Sequence, residues 1–331
     1  MKVVVDSAIP YLKGLLEPYF EVVYRPGQAF SKEDVADADA LIVRTRTKCD
    51  AELLESSKVR FIATATIGFD HIDLEYCAQK GIKVVTAQGC NAAGVLQWVS
   101  AALAMLSERN GWSPEQKCLG IVGVGNVGSL VERYAKKWGF KVLCCDPPRQ
   151  AREGGDFVSF EDVMRGSDIV TMHTPLNETT YHLLNAESIG LMRDNGVIIN
   201  ASRGEVADTD ALLAAPQTLL LDVWEREPMI DLKLLDKALV ATPHIAGYSA
   251  QGKANAASMV VRALAEEFDL PLKDWYPAEV KPVEREEIGW AEMCATITKH
   301  CDLQGESNYL KHNPMAFEQM RDNYAYRQEY F

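Results

Sequence analysis

A chain of 331 residues, 47% of them apolar, is longer than one hydrophobic core usually serves and rich enough to build two, so two or more globular units are predicted. Its formal charge of −13 argues against nucleic acid or an anionic membrane surface as a partner, since both need an excess of Lys and Arg. The start "MKVVVDSAIP" does not read as a signal peptide, and "AAGVLQWVSAALAML" is too short for a bilayer, which takes about 20 apolar residues. Eight scattered cysteines with no C-x-x-C pair read as buried thiols, so a cytoplasmic protein is expected.

Short β-branched runs alternate with helical stretches from the first residue. "KVVVD", "EVVYR", "ALIVR", "RFIATA" and "KVVTA" are separated by segments such as "DAELLESS" and "DLEYCAQKG", the pattern of βαβ units on a parallel sheet. The pattern pauses at Asn91 to Arg109, a long apolar segment that predicts a buried helix, and then restarts. "CLGIVGV", "KVLCCD", "DIVTMH", "GVIINAS", "TLLLDVW" and "LVATPH" form a second series, with "LVERYAKKWG" and "TDALLAA" as helical spacers. A further helix, "KANAASMVVRALAEEFDL", precedes "WYPAEVKPVEREE", which reads as a linker. The last segment, from about Glu287, is too short to stand alone and is expected to pack on the main body or on a partner. No repeat of solenoid period is present.

Gly123, Gly125 and Gly128 form G-x-G-x-x-G directly after "LGIVGV" and directly before a helix beginning near Val127. The first glycine permits a tight turn, the second lets backbone approach a pyrophosphate, and the third lets helix sit close to strand. The helix N-terminus then offers N–H donors to phosphate. Alone, the triplet also fits an ordinary glycine-rich turn. Asp146 ends "KVLCCD" eighteen residues after Gly128, where a carboxylate accepts hydrogen bonds from an adenosine ribose and repels a 2′-phosphate, which favours NAD over NADP. Arg149, three residues on, is either a surface arginine or an offset to that repulsion.

Chemistry beside such a loop is expected at the carboxyl ends of the later strands. "VIINASRGE" carries Arg203, "LLLDVWEREP" runs on to Glu227, and "LVATPHIAGY" carries His244. Oxidising a 2-hydroxy acid by hydride transfer needs a guanidinium to pair the carboxylate and polarise the forming carbonyl. It needs a base for the hydroxyl proton, for which imidazole suits neutral pH, and a carboxylate to orient that base. Singly, these residues also read as a strand cap, a solvated acid and a structural histidine; the three in order point to hydride transfer.

In the first series, "RTRTK" places Arg44, Arg46 and Lys48 at alternating positions. If the strand continues, they share one face and suit a phosphate, although Thr45 would then face the other way; the alternative is a solvated strand end. Thr66 and Gly68 in "TATIGFD" offer a hydroxyl and close backbone approach to a substrate carboxylate, with Asp70 and His71 structural beside them. His173 reads as shaping the cofactor loop. His182, His300 and His312 show no acidic or cysteine partner at metal spacing, so no metal is expected.

The stretches "VVVDSAIPY", "ADADALIVRTRTK", "FIATATIGFDHID", "QGCNA", "GIVGVGNVG", "CDPPR", "MHTPL", "INASRG", "LDVWEREP" and "TPHIAGYSAQGKA" resemble the D-isomer-specific 2-hydroxyacid dehydrogenases across nearly the whole chain. "CDPPR", "HIAGYSAQGK" and the tail "NPMAFEQMRDNYAYRQEY" are similar to a branch that acts on a four-carbon phosphorylated 2-hydroxy acid in vitamin B6 biosynthesis.

With the strand pattern, the resemblance implies an α/β fold of two Rossmann/flavodoxin-like parallel-sheet domains with a cleft between them. The substrate-binding domain would span 1–90 and 253–275, the NAD-binding Rossmann domain 91–252, and a short C-terminal α+β extension of dimerisation type 276–331. It further implies catalysis by Arg203, Glu227 and His244. Implied cofactor contacts are Gly125, Asn126, Val127, Asp146, Thr174, Pro175, Ala201 with Ser202, Asp222 and Gly247. Implied substrate contacts are Thr45, Thr66 and Tyr248.

A homodimer is implied, with the long helix offering an apolar face, and closure over hinges near that helix and Gly247 is expected to exclude water. Gln97 departs from the Glu frequent in the family, and the C-terminal extension is shorter than usual. The rival readings are a sister activity on 3-phosphoglycerate or hydroxypyruvate/glycerate, and an NAD-sensing binding protein without turnover.

Overall fold

A computed structural model describes residues 1–281, 283 and 287–331. Within the expected linker "WYPAEVKPVEREE", Pro282, Glu284, Arg285 and Glu286 lie outside the described residues. The chain divides into two compact units, Met1–Asn91 with Ser249–Val283 and Ala92–Tyr248 with Glu284–Phe331.

The first unit is built on β1 (Lys2–Asp6), β2 (Glu21–Arg25), β3 (Ala40–Val43), β4 (Phe61–Thr64) and β5 (Lys83–Thr86), paired in parallel in the order β2-β1-β3-β4-β5. Both faces of the central strands are buried, which is why β3 and β4 read as unbroken apolar runs. Side chains alternate across the sheet. Val3, Val5, Ile42 and Phe61 pack against Val260, Val261 and Leu264 of the helix Ala250–Phe268. Val4, Leu41, Val43 and Ile62 meet Leu53, Leu54 and Cys77 on the other face. The helix Ala250–Phe268 therefore completes the core of a sheet laid down far earlier in the sequence. It begins where the Ser249 side chain accepts the Gly252 N–H at 2.9 Å.

The second unit holds β6 (Cys118–Val122), β7 (Lys141–Cys145), β8 (Ile169–Met172), β9 (Val197–Asn200), β10 (Thr218–Leu221) and β11 (Val240–Ala241), all parallel, in the order β11-β10-β9-β8-β6-β7. The chain runs outward from β6 to β7 and then crosses back to β8 on the other side of β6. That reversal is the switch point beyond which doubly wound sheets bind ligands. Because every strand is parallel, the loops after β6, β8, β9, β10 and β11 share one edge of the sheet.

The C-terminal segment departs from the expected α+β extension. It forms the helices Trp290–Thr296, Leu303–His312 and Phe317–Asp322, and among the described residues no strand follows β11. Its apolar residues recur at helical spacing and fill the cores of the second unit: Met293, Ile297 and Phe331 on one face of the sheet, Leu310 and Phe317 on the other. Ser307 also accepts the Ala241 N–H at 3.0 Å, so this helix covers the β11 edge.

The long helix Ala92–Asn110 is buried along most of its length. Trp98 donates to Thr242 at 3.1 Å, and the fully buried Gln97 amide donates to the Phe331 carbonyl at 3.3 Å, a contact that an ionised Glu would not make. The apolar face expected at a subunit contact is thus covered by the chain's own C-terminal segment. All eight cysteines are free thiols. Among the described residues, no helix is long and apolar enough to cross a membrane.

Candidate active site

The glycine loop follows β6. Gly123 has φ +85°, and a Cβ there would stand 2.7 Å from the His173 carbonyl group, so the loop after β6 touches the one after β8 backbone to backbone. A Cβ at Gly128 would stand 2.0 Å from the Gly123 carbonyl oxygen, whereas nothing lies within 4 Å of one at Gly125. The helix Asn126–Trp138 starts at Gly125 with no side chain capping it, leaving its first N–H groups to a ligand. His173 is pushed down to about 3 by burial and hydrogen-bonds Thr171 at 3.0 Å; it is a neutral wall of this loop.

The loops after β9, β10 and β11 carry Arg203, Glu227 and His244. His244 Nδ1 lies 2.8 Å from Glu227 Oε2, and Glu227 Oε1 accepts the Trp224 N–H at 3.0 Å. Burial alone would raise the Glu227 carboxyl, but the facing His244, the Trp224 N–H and the nearby Arg321 outweigh it and hold the group below its ordinary value. An ionised Glu227 only accepts, so the bond assigns the imidazole proton to Nδ1 and leaves Nε2 as the ring's acceptor nitrogen.

The Arg203 loop abuts the Glu227 loop: a Cβ at Gly204 would stand 2.0 Å from the Trp224 carbonyl group, and only glycine fits there. Arg203 itself is half-buried, and its Nη1 donates to the Ser202 carbonyl at 2.7 Å. The indole of Trp224 donates to the Thr242 carbonyl at 2.9 Å and ties the β10 loop to the β11 loop.

The pattern described as D-isomer specific 2-hydroxyacid dehydrogenase, NAD binding domain, matches residues 93–246. An erythronate-4-phosphate dehydrogenase of Bacteroides fragilis is 46% identical over 340 residues, covering 99% of this chain and 97% of that one. The chain belongs to the D-isomer specific 2-hydroxyacid dehydrogenases. An enzyme of the same name from Pseudomonas putida is 38% identical, over 99% of this chain and 93% of its own. The NAD⁺-bound 3-phosphoglycerate dehydrogenase of Entamoeba histolytica superposes with a TM-score of 0.69 at 26% identity, over 81% of this chain and 95% of that one. The protein is thus an NAD-dependent dehydrogenase built on two parallel-sheet α/β units.

NAD fits the glycine edge on two observations besides the open space at Gly125. The hydroxyl of Thr174, one of the implied cofactor contacts, is buried without a partner. Asp146 accepts the Val124 N–H at 2.8 Å and the Arg149 N–H at 2.9 Å, so its carboxylate is fixed beside the loop. Arg149 is anchored to Glu153 at 2.9 Å and to the Val124 carbonyl at 2.7 Å. Asn126 is exposed and Val127 half-buried at the helix start, while Pro175 lies exposed beyond β8. Ser202 is held by its N–H and hydroxyl on Asn200 Oδ1, with Ala201 packed on the core between them. Asp222 is 1% exposed, and its carboxylate is committed to the His244 loop, accepting from Thr242 at 2.6 Å, Ile245 N at 2.8 Å and Ala246 N at 2.9 Å. Gly247 sits in the turn closed by the Tyr248 N–H on the Ile245 carbonyl at 2.8 Å.

The substrate residues expected in the first unit are arranged differently from the alternating strand. β3 stops at Val43, and a turn closes with the Thr47 N–H on the Arg44 carbonyl at 3.0 Å, so Arg44, Thr45 and Arg46 do not alternate across a sheet. Arg44 Nε pairs with the fully buried Asp6 at 3.0 Å, and the exposed Lys48 pairs with Asp50 at 2.7 Å, which withdraws Lys48 from the cluster. Arg46 and Thr45 are exposed at the tip. Thr66 donates to the Gly68 carbonyl at 3.0 Å and lies 2.7 Å from the Thr64 hydroxyl, which is 3.1 Å from His71 Nε2. Burial pushes His71 down to about 4 and keeps it neutral. In the second unit, Tyr248 is edge-on to Tyr324 and Tyr326, with ring centroids 5.9 and 6.2 Å away.

One expectation is corrected outright. His182 does have acidic partners: its Nε2 lies 2.8 Å from Glu225, and ligand atoms of His182, Asp208 and Glu225 all fall within 4.8 Å of one another. Glu225 also accepts the Thr209 N–H at 2.9 Å, so this group ties three loops of the edge together. Residues far apart in the chain formed it, which no local spacing could signal. Asn200, Gly204, Arg321 and Arg327 were likewise missed. For Asn200, a polar residue ending an apolar strand was a usable signal; for the two arginines there was none.

Proposed function

We propose that the enzyme oxidises the C2 hydroxyl of 4-phospho-D-erythronate with NAD⁺ to 2-oxo-3-hydroxy-4-phosphobutanoate, a step of pyridoxal 5′-phosphate (vitamin B6) biosynthesis. The reading is carried by the 2.8 Å His244–Glu227 bond in a chain that aligns nearly end to end with enzymes named for this substrate. Bound NAD⁺ supplies the hydride acceptor; Gly125, Asn126, Asp146 and Thr174 are the residues that would hold it.

His244 Nε2 takes the hydroxyl proton as the C2–H bond breaks, and Glu227 stabilises the imidazolium so formed. Arg203 pairs the substrate carboxylate and the C2 oxygen, drawing charge onto that oxygen as the carbonyl forms. Arg44 and Arg46 supply positive charge for the phosphate, with Thr45, Thr66 and Tyr248 as the neutral contacts. The working form on this reading is a cytoplasmic homodimer, to which the free thiols are suited; light scattering checks the dimer.

A spectrophotometric NADH assay tests the reading with 4-phospho-D-erythronate beside 3-phosphoglycerate, the substrate named by the Entamoeba neighbour. A higher kcat/KM for the four-carbon acid supports it. A clear preference for 3-phosphoglycerate favours the sister activity. Tight NAD binding with no turnover of either acid favours a sensing role.

A further inference from the structure

His244 has φ +58°, the left-handed region that residues with a Cβ avoid unless their surroundings over-determine it. What holds it is the pair of residues that follow. On one side, Asp222 accepts the N–H groups of Ile245 and Ala246. On the other, Arg327, only 7% exposed, donates through Nη1 to the Ile245 carbonyl at 3.1 Å and through Nη2 to the Ala246 carbonyl. The same Nη2 donates to the Gly94 carbonyl of the long helix at 2.9 Å, which anchors the guanidinium to a rigid element. Arg327 Nη1 also reaches the Tyr324 hydroxyl at 3.1 Å, and that hydroxyl donates to Glu306 at 2.6 Å. A buried carboxylate and a buried guanidinium thus grip the three peptide units between His244 and Gly247, the carboxylate through N–H groups and the guanidinium through carbonyls.

We propose that Arg327, seated by Tyr324, is a positioning residue for catalysis: it locks the Ile245–Ala246 backbone so that the His244 imidazole stays on Glu227. The C-terminal segment of the chain is then part of the reaction machinery, although neither residue touches the reacting atoms. This inference rests on His244 being the base.

The test compares the full-length enzyme with Arg327→Met, Arg327→Lys and Tyr324→Phe, with His244→Ala as control, using kcat, KM, the pH profile of kcat and Tm. Arg327→Met is expected to lower kcat by on the order of tenfold to a hundredfold with both KM values near parent. Because the imidazole leaves its carboxylate partner, the pH profile of kcat departs from that of the parent, which a loss of stability alone would not cause. Arg327→Lys keeps the charge without the fork and falls between, and Tyr324→Phe shows the same signature a few-fold weaker. If Arg327→Met does not fold, the other two variants carry the test. Parent kcat and pH profile in folded variants, even with a lowered Tm, would overturn the proposal. An active His244→Ala would instead overturn the reading of the base on which it rests.

Discussion

Around His244, the backbone groups are engaged on every side, with Asp222 and Arg327 on the peptides that follow it and Glu227 on its ring. The turn after β3 is more open to solvent: Arg44 leans on Asp6 from a half-buried position, and Thr45 and Arg46 stand exposed at the tip. On the proposed function, the contrast follows from the two tasks. Proton and hydride transfer need fixed distances, and a small misplacement costs about a hundredfold in rate. A phosphate is a large diffuse charge that exposed cations can meet from several geometries. Substitutions in the first region should therefore act on kcat and stability, and in the second on KM.

Glu227→Gln is the severest way to break the first region. It removes the charge that sets the imidazole proton, and kcat is expected to fall by about 10²–10⁴ with KM within a few-fold. The sign for stability is separate. The folded carboxyl lies below its ordinary value, so its contribution is present above the ordinary carboxylate pKa and lost as pH falls through the folded one. Denaturant midpoints of parent and Glu227→Gln should accordingly converge in acid.

Asp222→Asn comes next. The amide can accept through one oxygen only, so at least one buried N–H of Ile245 or Ala246 is left unmet at a cost of about 1–3 kcal/mol, with a loss of kcat on the order of tenfold. Urea titration and steady-state kinetics read the two effects separately.

In the other region, Arg46→Met should raise KM for the phosphorylated acid about tenfold while kcat holds, since one charge-assisted contact to phosphate is lost. Lys48→Ala is the smallest change. The lysine is exposed and already paired with Asp50, and kinetics within about twofold of parent are expected. A KM effect at Lys48 as large as at Arg46 would restore the three-cation face that the turn disperses.

Local patterns made much of this readable before any coordinates. The eleven strands among the described residues fall at the β-branched runs; the central ones, buried on both faces, are apolar throughout, and the half-buried β2 and β5 keep a β-branched middle. The G-x-G-x-x-G loop and the Arg, Glu and His at successive strand ends were visible for the same reason: a parallel sheet turns order along the chain into adjacency along one edge.

What escaped was long-range. The alternation at Arg44, Arg46 and Lys48 presumed a strand that stops at Val43. The His182–Glu225 pair spans two loops of that edge, and nothing in "NYAYRQEY" announces that Arg327 closes on the backbone beyond His244. The C-terminal segment reads as short and unattached because its apolar residues complete cores whose other parts are spread from Val95 to Ala246.

The most direct measurement is NADH formation from 4-phospho-D-erythronate by the parent enzyme and by His244→Ala, followed across pH. The account predicts turnover by the parent and a His244→Ala rate lower by about 10²-fold or more throughout. Equal rates with and without the imidazole, or a parent enzyme silent toward this acid yet active on 3-phosphoglycerate, would contradict it.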